Sequence, residues 1–177
     1  VEQGVRMVSF KGDKGFMYKA NLALRTALKI LKPIYFFKAN NEQALYKGIS
    51  GVNWSKLIGA NQTFVIDTTV HSEYFNHSEF VSQKCKDAIV DQFRERTGQR
   101  PSIDKVHPDL RINIHIDKDQ VSVALDTSGN ALNQRGYRTA KNIATINEVL
   151  AAGILLLSGW DGQTDFLDPM CGSGTFL

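Results

Sequence analysis

The most specific stretch of the chain lies near its end and reads Thr164-Asp165-Phe166-Leu167-Asp168-Pro169-Met170-Cys171-Gly172-Ser173-Gly174-Thr175. Its first five residues predict a short strand that ends on an acid. The glycines that follow let the backbone approach a ligand closely, as in the loop by which a doubly wound sheet binds a nucleotide-like cofactor. A Gly-x-Gly alone is equally typical of a tight strand-to-helix turn, so the specificity comes from the whole string from Asp168 to Thr175.

Upstream of this loop, the apolar periodicity alternates between strands and helices. An amphipathic core helix is predicted from Phe16 to Leu31, before Pro33 forbids further helix. The other predicted elements are a strand over 6–10, a strand over 34–38, a helix capped by Asn40 or Asn41 and closed by Gly51, a strand over 63–70, a helix over 78–97 ended by Gly98, and a β-hairpin over 110–125. This order predicts a mixed α/β domain with one layer of helices against a sheet.

The chain changes character after Asp126. No Asp or Glu occurs between Thr127 and Asn147, and three cations fall in that stretch, which makes it a candidate contact for a polyanion. It is predicted to be a linker. The sequence Thr145-Ile146-Asn147-Glu148 then predicts a capping box, followed by a helix that continues through Leu157 and ends at Gly159.

Composition limits the function classes. The net charge of +3 allows nucleic-acid binding without requiring it. The longest apolar stretch, residues 149–157, is too short to cross a bilayer, and no signal peptide is recognised, although Val1 is not an initiator Met. Two cysteines in unlike contexts do not predict a disulfide, which suits a reducing cytosol. The four histidines lack paired ligand spacing, so no metal site is expected.

Several motifs, taken in order, resemble a known family. They are Gly12-Asp13, Leu24-Arg25-Thr26-Ala27, Lys86-Asp87-Ala88-Ile89-Val90-Asp91, Arg100-Pro101-Ser102, Pro108-Asp109-Leu110-Arg111, Leu125-Asp126-Thr127-Ser128-Gly129, Arg135-Gly136-Tyr137-Arg138 and the terminal loop. The chain is similar to the THUMP-domain RNA methyltransferases that modify guanosine N2 in 23S ribosomal RNA, some of which are labelled adenine-specific DNA methylases. The resemblance covers nearly the whole chain.

The resemblance implies an α+β fold (mixed α/β), in which a ferredoxin-like/THUMP RNA-binding domain is followed by the beginning of a Rossmann-like class I methyltransferase domain. The implied bounds are 1–14 for a remnant of an N-terminal ferredoxin-like region, 15–126 for the THUMP domain, 127–144 for the basic linker and 145–177 for the start of the methyltransferase domain. The implied cofactor is S-adenosylmethionine, the implied partner is 23S rRNA and the implied location is the cytoplasm. The oligomeric state is left open.

The same resemblance assigns the cofactor contacts to the terminal loop. These residues are Asp168, Pro169, Met170, Cys171, Gly172, Ser173, Gly174 and Thr175. The family's catalytic Asn/Asp-Pro-Pro-Tyr motif does not occur among the 177 residues, so no catalytic residue is assigned and the chain alone is expected to be inactive. Where the family usually has Ala-Pro-Leu, this sequence has Ala144-Thr145-Ile146, which puts a cofactor contact there in doubt.

Six residues are candidates for RNA contact: Lys86, Arg100, Arg111, Arg135, Tyr137 and Arg138. Guanidinium groups bind phosphates through two hydrogen bonds and stack on bases. The competing interpretation is a solvated or ion-paired surface. For Lys86, which is next to Asp87, ion pairing is at least as strong an interpretation as RNA contact. Arg111 could also pair with Asp109 or Asp126.

Three functions follow from these patterns. The first is an S-adenosylmethionine-dependent RNA methyltransferase that forms N2-methylguanosine in 23S rRNA, of which this chain is the RNA-binding portion. The second is a stand-alone RNA-binding module. The third is a DNA adenine-N6 methylase, which would share the cofactor loop but would leave the RNA-binding portion without a use.

Overall fold

The fold is seen in a computed structural model, which describes residues 1–4, 6–135 and 145–176. The chain divides into two compact units, one made of residues 31–129 and the other of residues 1–30 together with 130–177. The elements are β1 (Glu2–Gly4), β2 (Met7–Ser9), α1 (Lys14–Ala23), β3 (Leu31–Lys38), α2 (Glu42–Ser50), a short 3-10 turn (Trp54–Lys56), β4 (Thr63–His71), α3 (Ser78–Thr97), β5 (Ser102–Ile103), β6 (Leu110–Asp117), β7 (Gln120–Asp126) and α4 (Glu148–Ser158).

The larger unit is a mixed sheet with helices packed on it. Its strands lie in the order β3-β7-β6-β4-β5, with β4 parallel to both β5 and β6 and with β7 antiparallel to β3 and β6. Helix α3 packs on β4 and against α2. The alternating residues Ile112, Ile114 and Ile116 of β6 are fully buried beneath these helices, together with the stripe Val81, Cys85, Ile89 of α3. The α+β architecture predicted from the sequence is confirmed.

Local sequence signals set the ends of the helices in this unit. The side chain of Asn41 accepts a hydrogen bond from the amide of Ala44 at 2.8 Å and so caps α2. Helix α3 ends at Gly98, whose φ of +69° is a left-handed conformation that favours glycine. Both boundaries were predicted from the sequence and are confirmed, as are the strand over 63–70 and the hairpin formed by β6 and β7.

A buried glutamine fixes the loop between α2 and β4. Gln92 accepts a hydrogen bond from the amide of Trp54 at 3.0 Å and donates to the carbonyls of Ser50 at 2.9 Å and Val52 at 2.8 Å. The indole of Trp54 is fully buried and donates to the carbonyl of Ile49 at 2.9 Å. Polar atoms buried in this way keep their partners because an unpaired one would cost folding free energy.

The smaller unit contains the β1–β2 hairpin, α1 and α4. Helix α1 begins after Asp13, whose carboxylate accepts from the amide of Phe16 at 2.7 Å. Helix α4 ends at Gly159 with a φ of +73°, as the sequence predicted. Among the described residues, no helix is both long enough and apolar enough to cross a bilayer.

Two helix predictions are corrected. The helix predicted from Phe16 to Leu31 ends at Ala23, because Leu24 is extended and Leu31 pairs with Asp126 in the sheet. It is not a core helix either, since Ala20 is its only buried residue. The predicted capping box at Thr145 is also wrong: Asn147 caps α4 by accepting from the amide of Val149 at 2.9 Å, and Glu148 is the first helical residue.

The strand predicted over residues 164–168 does not form among the described residues. A strand is defined by hydrogen bonds to a neighbouring strand, and none of the described strands pairs with this stretch. Its local contacts are made instead by the indole of Trp160, which donates to the carbonyl of Thr164 at 3.1 Å and lies 5.0 Å from the ring of Phe166.

Candidate nucleic-acid interface and cofactor loop

A groove with a volume of about 580 Å³ lies on the larger unit, lined by residues of α2, α3 and β5. One side of α3 is buried in the core through Val81, Cys85 and Ile89. The charged residues on the other sides of this helix therefore face outward. Four cations line the groove: Lys84, Lys86, Arg94 and Arg100. We call this feature the α3–β5 groove.

Three of the four cations are paired with carboxylates. Lys84 lies 3.2 Å from Glu42, Lys86 lies 3.1 Å from Asp87, and Arg94 lies 3.2 Å from Asp91. These pairs are largely exposed, so each contributes little to stability and can open when a stronger anion arrives.

Arg100 differs from these cations. It is exposed, and in the part of the chain that the structure describes its guanidinium makes no hydrogen bond or ion pair. It is separated from the end of α3 by Gly98 and Gln99, and it precedes Pro101, which is buried. The groove therefore offers one complete, unused guanidinium to a ligand.

The groove also contains the phenol of Tyr46, which is hydrogen-bonded to a carboxylate. The hydroxyl of Tyr46 donates to Asp91 at 2.9 Å. Burial, followed by the hydrogen bond to Asp91 and the charge of that carboxylate, raises the pKa of Tyr46 above its ordinary value. The ring stays neutral at physiological pH and is fixed in place beside the cations.

The structure brings two of the six predicted RNA contacts together, since Lys86 and Arg100 line the same groove. Arg111 lies elsewhere, on β6, where its guanidinium donates to the carbonyl of Val106 at 3.4 Å. Asp109, one of its predicted partners, accepts instead from the amide and hydroxyl of Thr63.

Arg135 lies in the smaller unit, and its guanidinium is engaged. It donates to the carbonyls of Leu132 at 2.9 Å, Leu22 at 3.0 Å, Asn21 at 3.1 Å and Leu24 at 2.6 Å. Tyr137 and Arg138 lie outside the described residues. RNA contact by the six residues stays a prediction.

Three other residues line the groove but were not predicted as RNA contacts: Tyr46, Lys84 and Arg94. The signal for the cations was present: Lys84, Asp87, Asp91 and Arg94 recur at steps of three and four residues, which places them on one face of α3. No sequence signal brings Tyr46 of α2 to that face, because the contact spans 45 residues.

The predicted cofactor loop forms a series of turns. Asp168 accepts from the amide of Met170 at 3.0 Å, and the amide of Gly174 donates to the carbonyl of Cys171 at 2.8 Å. Gly172 and Gly174 have φ values of +55° and +71°, and nothing lies within 4 Å of the place where a Cβ of Gly174 would stand. The loop thus needs glycine there for its backbone conformation and leaves open space beside it.

One buried side-chain oxygen in the loop has no partner among the described residues. The Ser173 hydroxyl oxygen is buried and makes no hydrogen bond among the described residues. Such an atom fits a loop that completes its hydrogen bonds with a ligand. Among the described residues, no group of three His, Cys, Asp or Glu side chains could hold a metal ion.

Comparison with known protein families assigns consecutive parts of the chain. A model of the RlmL ferredoxin-like domain matches residues 1–31, the THUMP domain matches residues 39–126, and an RMKL-like methyltransferase domain matches residues 135–177. The chain belongs to the THUMP-domain methyltransferase family. The predicted bounds of its domains stay predictions.

Solved structures of this family share the fold of the chain. A protein described as a predicted N6-adenine-specific DNA methylase from Listeria monocytogenes is 29% identical, with a TM-score of 0.78 over 93% of this chain. SMU.472, assigned as a methyltransferase and solved in complex with SAH, is 32% identical, with a TM-score of 0.77 over 93% of this chain. TrmN from Thermus thermophilus, at 18% identity and a TM-score of 0.71, shares the fold.

The chain spans less than half of these relatives. It covers 43% of the Listeria protein, 44% of SMU.472 and 48% of TrmN. For this THUMP-domain methyltransferase, the activity and substrate of the whole protein are therefore matters of proposal.

Proposed function

We propose that the protein containing this chain transfers a methyl group from S-adenosylmethionine to the N2 atom of a guanosine in 23S rRNA, and that residues 31–129 bind the RNA. The observation that carries the RNA-binding part of the proposal is the unpaired guanidinium of Arg100, which lines the α3–β5 groove of a THUMP domain together with Lys86. A cytoplasmic location accords with an RNA substrate and with the free thiols of Cys85 and Cys171.

The groove suits an RNA backbone. A phosphate can take the free donors of Arg100 through two parallel hydrogen bonds, and it can draw Lys86 away from the exposed carboxylate of Asp87. The carboxylate of Asp87 can then accept a hydrogen bond from a sugar 2′-hydroxyl, a group that RNA has and DNA lacks. We propose that Lys86 and Arg100 provide most of the RNA affinity of this unit.

The terminal loop suits the cofactor. Ser173, Gly172 and Gly174 offer an unpaired hydroxyl and an accessible backbone, and Asp168 offers a carboxylate at the start of the loop. We propose that these groups, with Pro169, Met170, Cys171 and Thr175, hold S-adenosylmethionine, which supplies the methyl group when bound. SMU.472 is a relative solved with SAH, the product of such a transfer.

Binding of the cofactor can be tested on this chain through its thiols. Cys171 is exposed in the loop, whereas Cys85 is buried in the core and serves as an internal control. We expect S-adenosylmethionine or SAH to slow alkylation of Cys171 in a saturable manner, and we expect the substitution Gly174→Val to remove that protection. Alkylation of Cys171 at the same rate with and without either ligand would contradict the cofactor assignment.

The substrate is tested on the full-length gene product. Incubation with labelled S-adenosylmethionine and with unmodified 23S rRNA should place the label on N2 of guanosine. The name of the Listeria relative supports a second candidate, a DNA adenine-N6 methylase. Label on adenine in duplex DNA and none on rRNA would favour that candidate, whereas RNA binding without any methyl transfer would favour a stand-alone RNA-binding module.

A further inference from the structure

The end of α1 is held by a residue 113 positions further along the chain. The guanidinium of Arg135 donates to the carbonyls of Asn21 and Leu22, which lie in the last turn of α1, and to that of Leu24, which follows the helix. The last carbonyls of a helix have no partner within the helix, and a cation there is favoured by the helix dipole. Arg135 thus supplies hydrogen bonds that α1 lacks.

The residues before Arg135 also contact the region around the end of α1. The amide of Leu132 donates to the carbonyl of Leu28 at 2.8 Å, and the amide of Gln134 donates to the carbonyl of Ala131 at 2.8 Å. We call residues 130–135 the clasp segment. The backbone of Leu132 binds the stretch after α1, and the side chain of Arg135 binds the end of α1.

The clasp segment is also connected to the helix that precedes the cofactor loop. The side-chain amide of Asn133 lies 3.4 Å from a carboxylate oxygen of Glu148, the first residue of α4. Helix α4 then runs to Gly159, and Trp160 contacts Phe166 two residues before Asp168. A continuous series of contacts inside the smaller unit therefore leads from α1 to the proposed cofactor loop.

We propose that Arg135 is a positioning residue that fixes the start of the methyltransferase region to α1 and thereby holds α4 and the cofactor loop in place. The expected effect on catalysis rests on the proposed function. The attachment of the clasp segment to α1 rests only on the hydrogen bonds of the smaller unit. Four of the five N–H donors of the guanidinium are used for carbonyls, which leaves one for any other ligand.

The substitutions Arg135→Ala and Arg135→Lys separate this role from phosphate binding. A lysine keeps the charge that a phosphate contact needs, but its single ammonium cannot reach four carbonyls arranged around a planar guanidinium. The control is Arg25→Ala, which removes an arginine with one hydrogen bond, at 2.9 Å, to the carbonyl of Leu22.

The first readout is amide hydrogen exchange on the 177-residue chain, which needs no ligand. We expect both Arg135 variants to speed exchange at Leu132 and in the first turn of α4 by about tenfold, since a lost charged hydrogen bond is a change of that order. We expect Arg25→Ala to change these rates by less than about threefold and all three variants to leave exchange in α3 unaltered. Unchanged exchange at Leu132 in Arg135→Ala would overturn the proposal.

The second readout is the split between kcat and KM for RNA in the full-length gene product. A positioning role predicts that both Arg135 variants lower kcat while KM for RNA and RNA affinity stay within about twofold of wild type. If Arg135→Ala weakens RNA binding and Arg135→Lys restores it, Arg135 is an RNA contact and the proposal is wrong. If wild type neither binds S-adenosylmethionine nor transfers methyl groups, the proposed function fails. The exchange rates still show whether Arg135 fixes the clasp segment to α1.

Discussion

The hydroxyl of Tyr46 on α2 donates a hydrogen bond of 2.9 Å to the carboxylate of Asp91 on α3, whose other oxygen lies 3.2 Å from Arg94. This relationship joins the two helices of the larger unit along the α3–β5 groove. Both oxygens of the Asp91 carboxylate therefore have a partner, the phenol at one and Arg94 at the other. Arg100 lines the same groove.

The first prediction concerns the alkaline stability of this contact. The pKa of Tyr46 is raised by burial and by Asp91, so the folded state favours the neutral phenol. The stabilisation is fully present below the pKa that Tyr46 has in the unfolded chain and is lost as pH rises through the raised pKa of the folded state. We expect ¹³C-tyrosine NMR to show Tyr46 titrating above the ordinary pKa of a tyrosine. In Asp91→Asn the pKa should fall toward the ordinary value, and a pKa that does not move would contradict the role of Asp91.

The second prediction concerns Gln92, which joins α3 to the loop around Trp54. Gln92→Leu keeps a similar volume but removes three hydrogen bonds, one from the buried amide of Trp54 and two to the partly buried carbonyls of Ser50 and Val52. We expect the free energy of unfolding to fall by about 2–3 kcal/mol. The matched control is Gln83→Leu at an exposed position of the same helix, which should change it by less than about 0.5 kcal/mol. Equal urea midpoints for the two variants would show that the Gln92 hydrogen bonds add nothing.

The third prediction concerns the close approach of α2 to β3. A Cβ at Gly48 would stand 2.1 Å from the ring of Phe37, so Gly48→Ala forces this ring to move. We expect a net loss of about 1–2 kcal/mol, because overpacking outweighs the gain in helix propensity. Gly153→Ala adds the same methyl group to a helix with no atom within 4 Å and should be neutral or stabilising. Replacing the ring by a smaller side chain in Phe37→Leu should reduce the loss of unfolding free energy caused by Gly48→Ala. An equal loss in the Phe37→Leu background would rule out the proposed clash.

The fourth prediction separates the two thiols. Burial raises the pKa of Cys85 to about 12, so at pH 8 this residue carries almost no thiolate, and its side chain is shielded as well. We expect a disulfide exchange reagent to modify one thiol per folded chain, at Cys171, and two after denaturation. Cys171→Ser should leave no rapidly reacting thiol, and rapid modification of that variant would show that Cys85 is not held in the core.

The parts of the fold that the sequence predicted are those set by local signals. Asn41 and Gly98 act through their own side chain or backbone, and the alternation of Ile112, Ile114 and Ile116 reports one buried face of a strand. Such features need no knowledge of distant residues. The hairpin and the long helix α3 were predictable for the same reason.

The parts that the sequence did not predict depend on distant partners. The periodicity from Phe16 to Leu31 favours a long helix, but Leu31 pairs with Asp126, and arginine donors satisfy the carbonyls at the end of α1 near Ala23. At the site, Lys86 and Arg100 were found because of their charge, whereas Tyr46 reaches the groove only through the packing of α2 on α3. Periodicity carries no information on such contacts.

The most direct test of RNA binding by the α3–β5 groove is a salt titration of RNA affinity for Arg100→Ala against Arg96→Ala. Both are exposed arginines, but Arg96 does not line the groove and donates to Asn53 at 3.1 Å. We predict that Arg100→Ala weakens binding of a 23S rRNA fragment by about tenfold and lowers the slope of log affinity against log salt by about 0.7–0.9, the value for one phosphate contact. Arg96→Ala should match wild type in both quantities. Equal affinity and equal slope for Arg100→Ala and wild type would contradict the account.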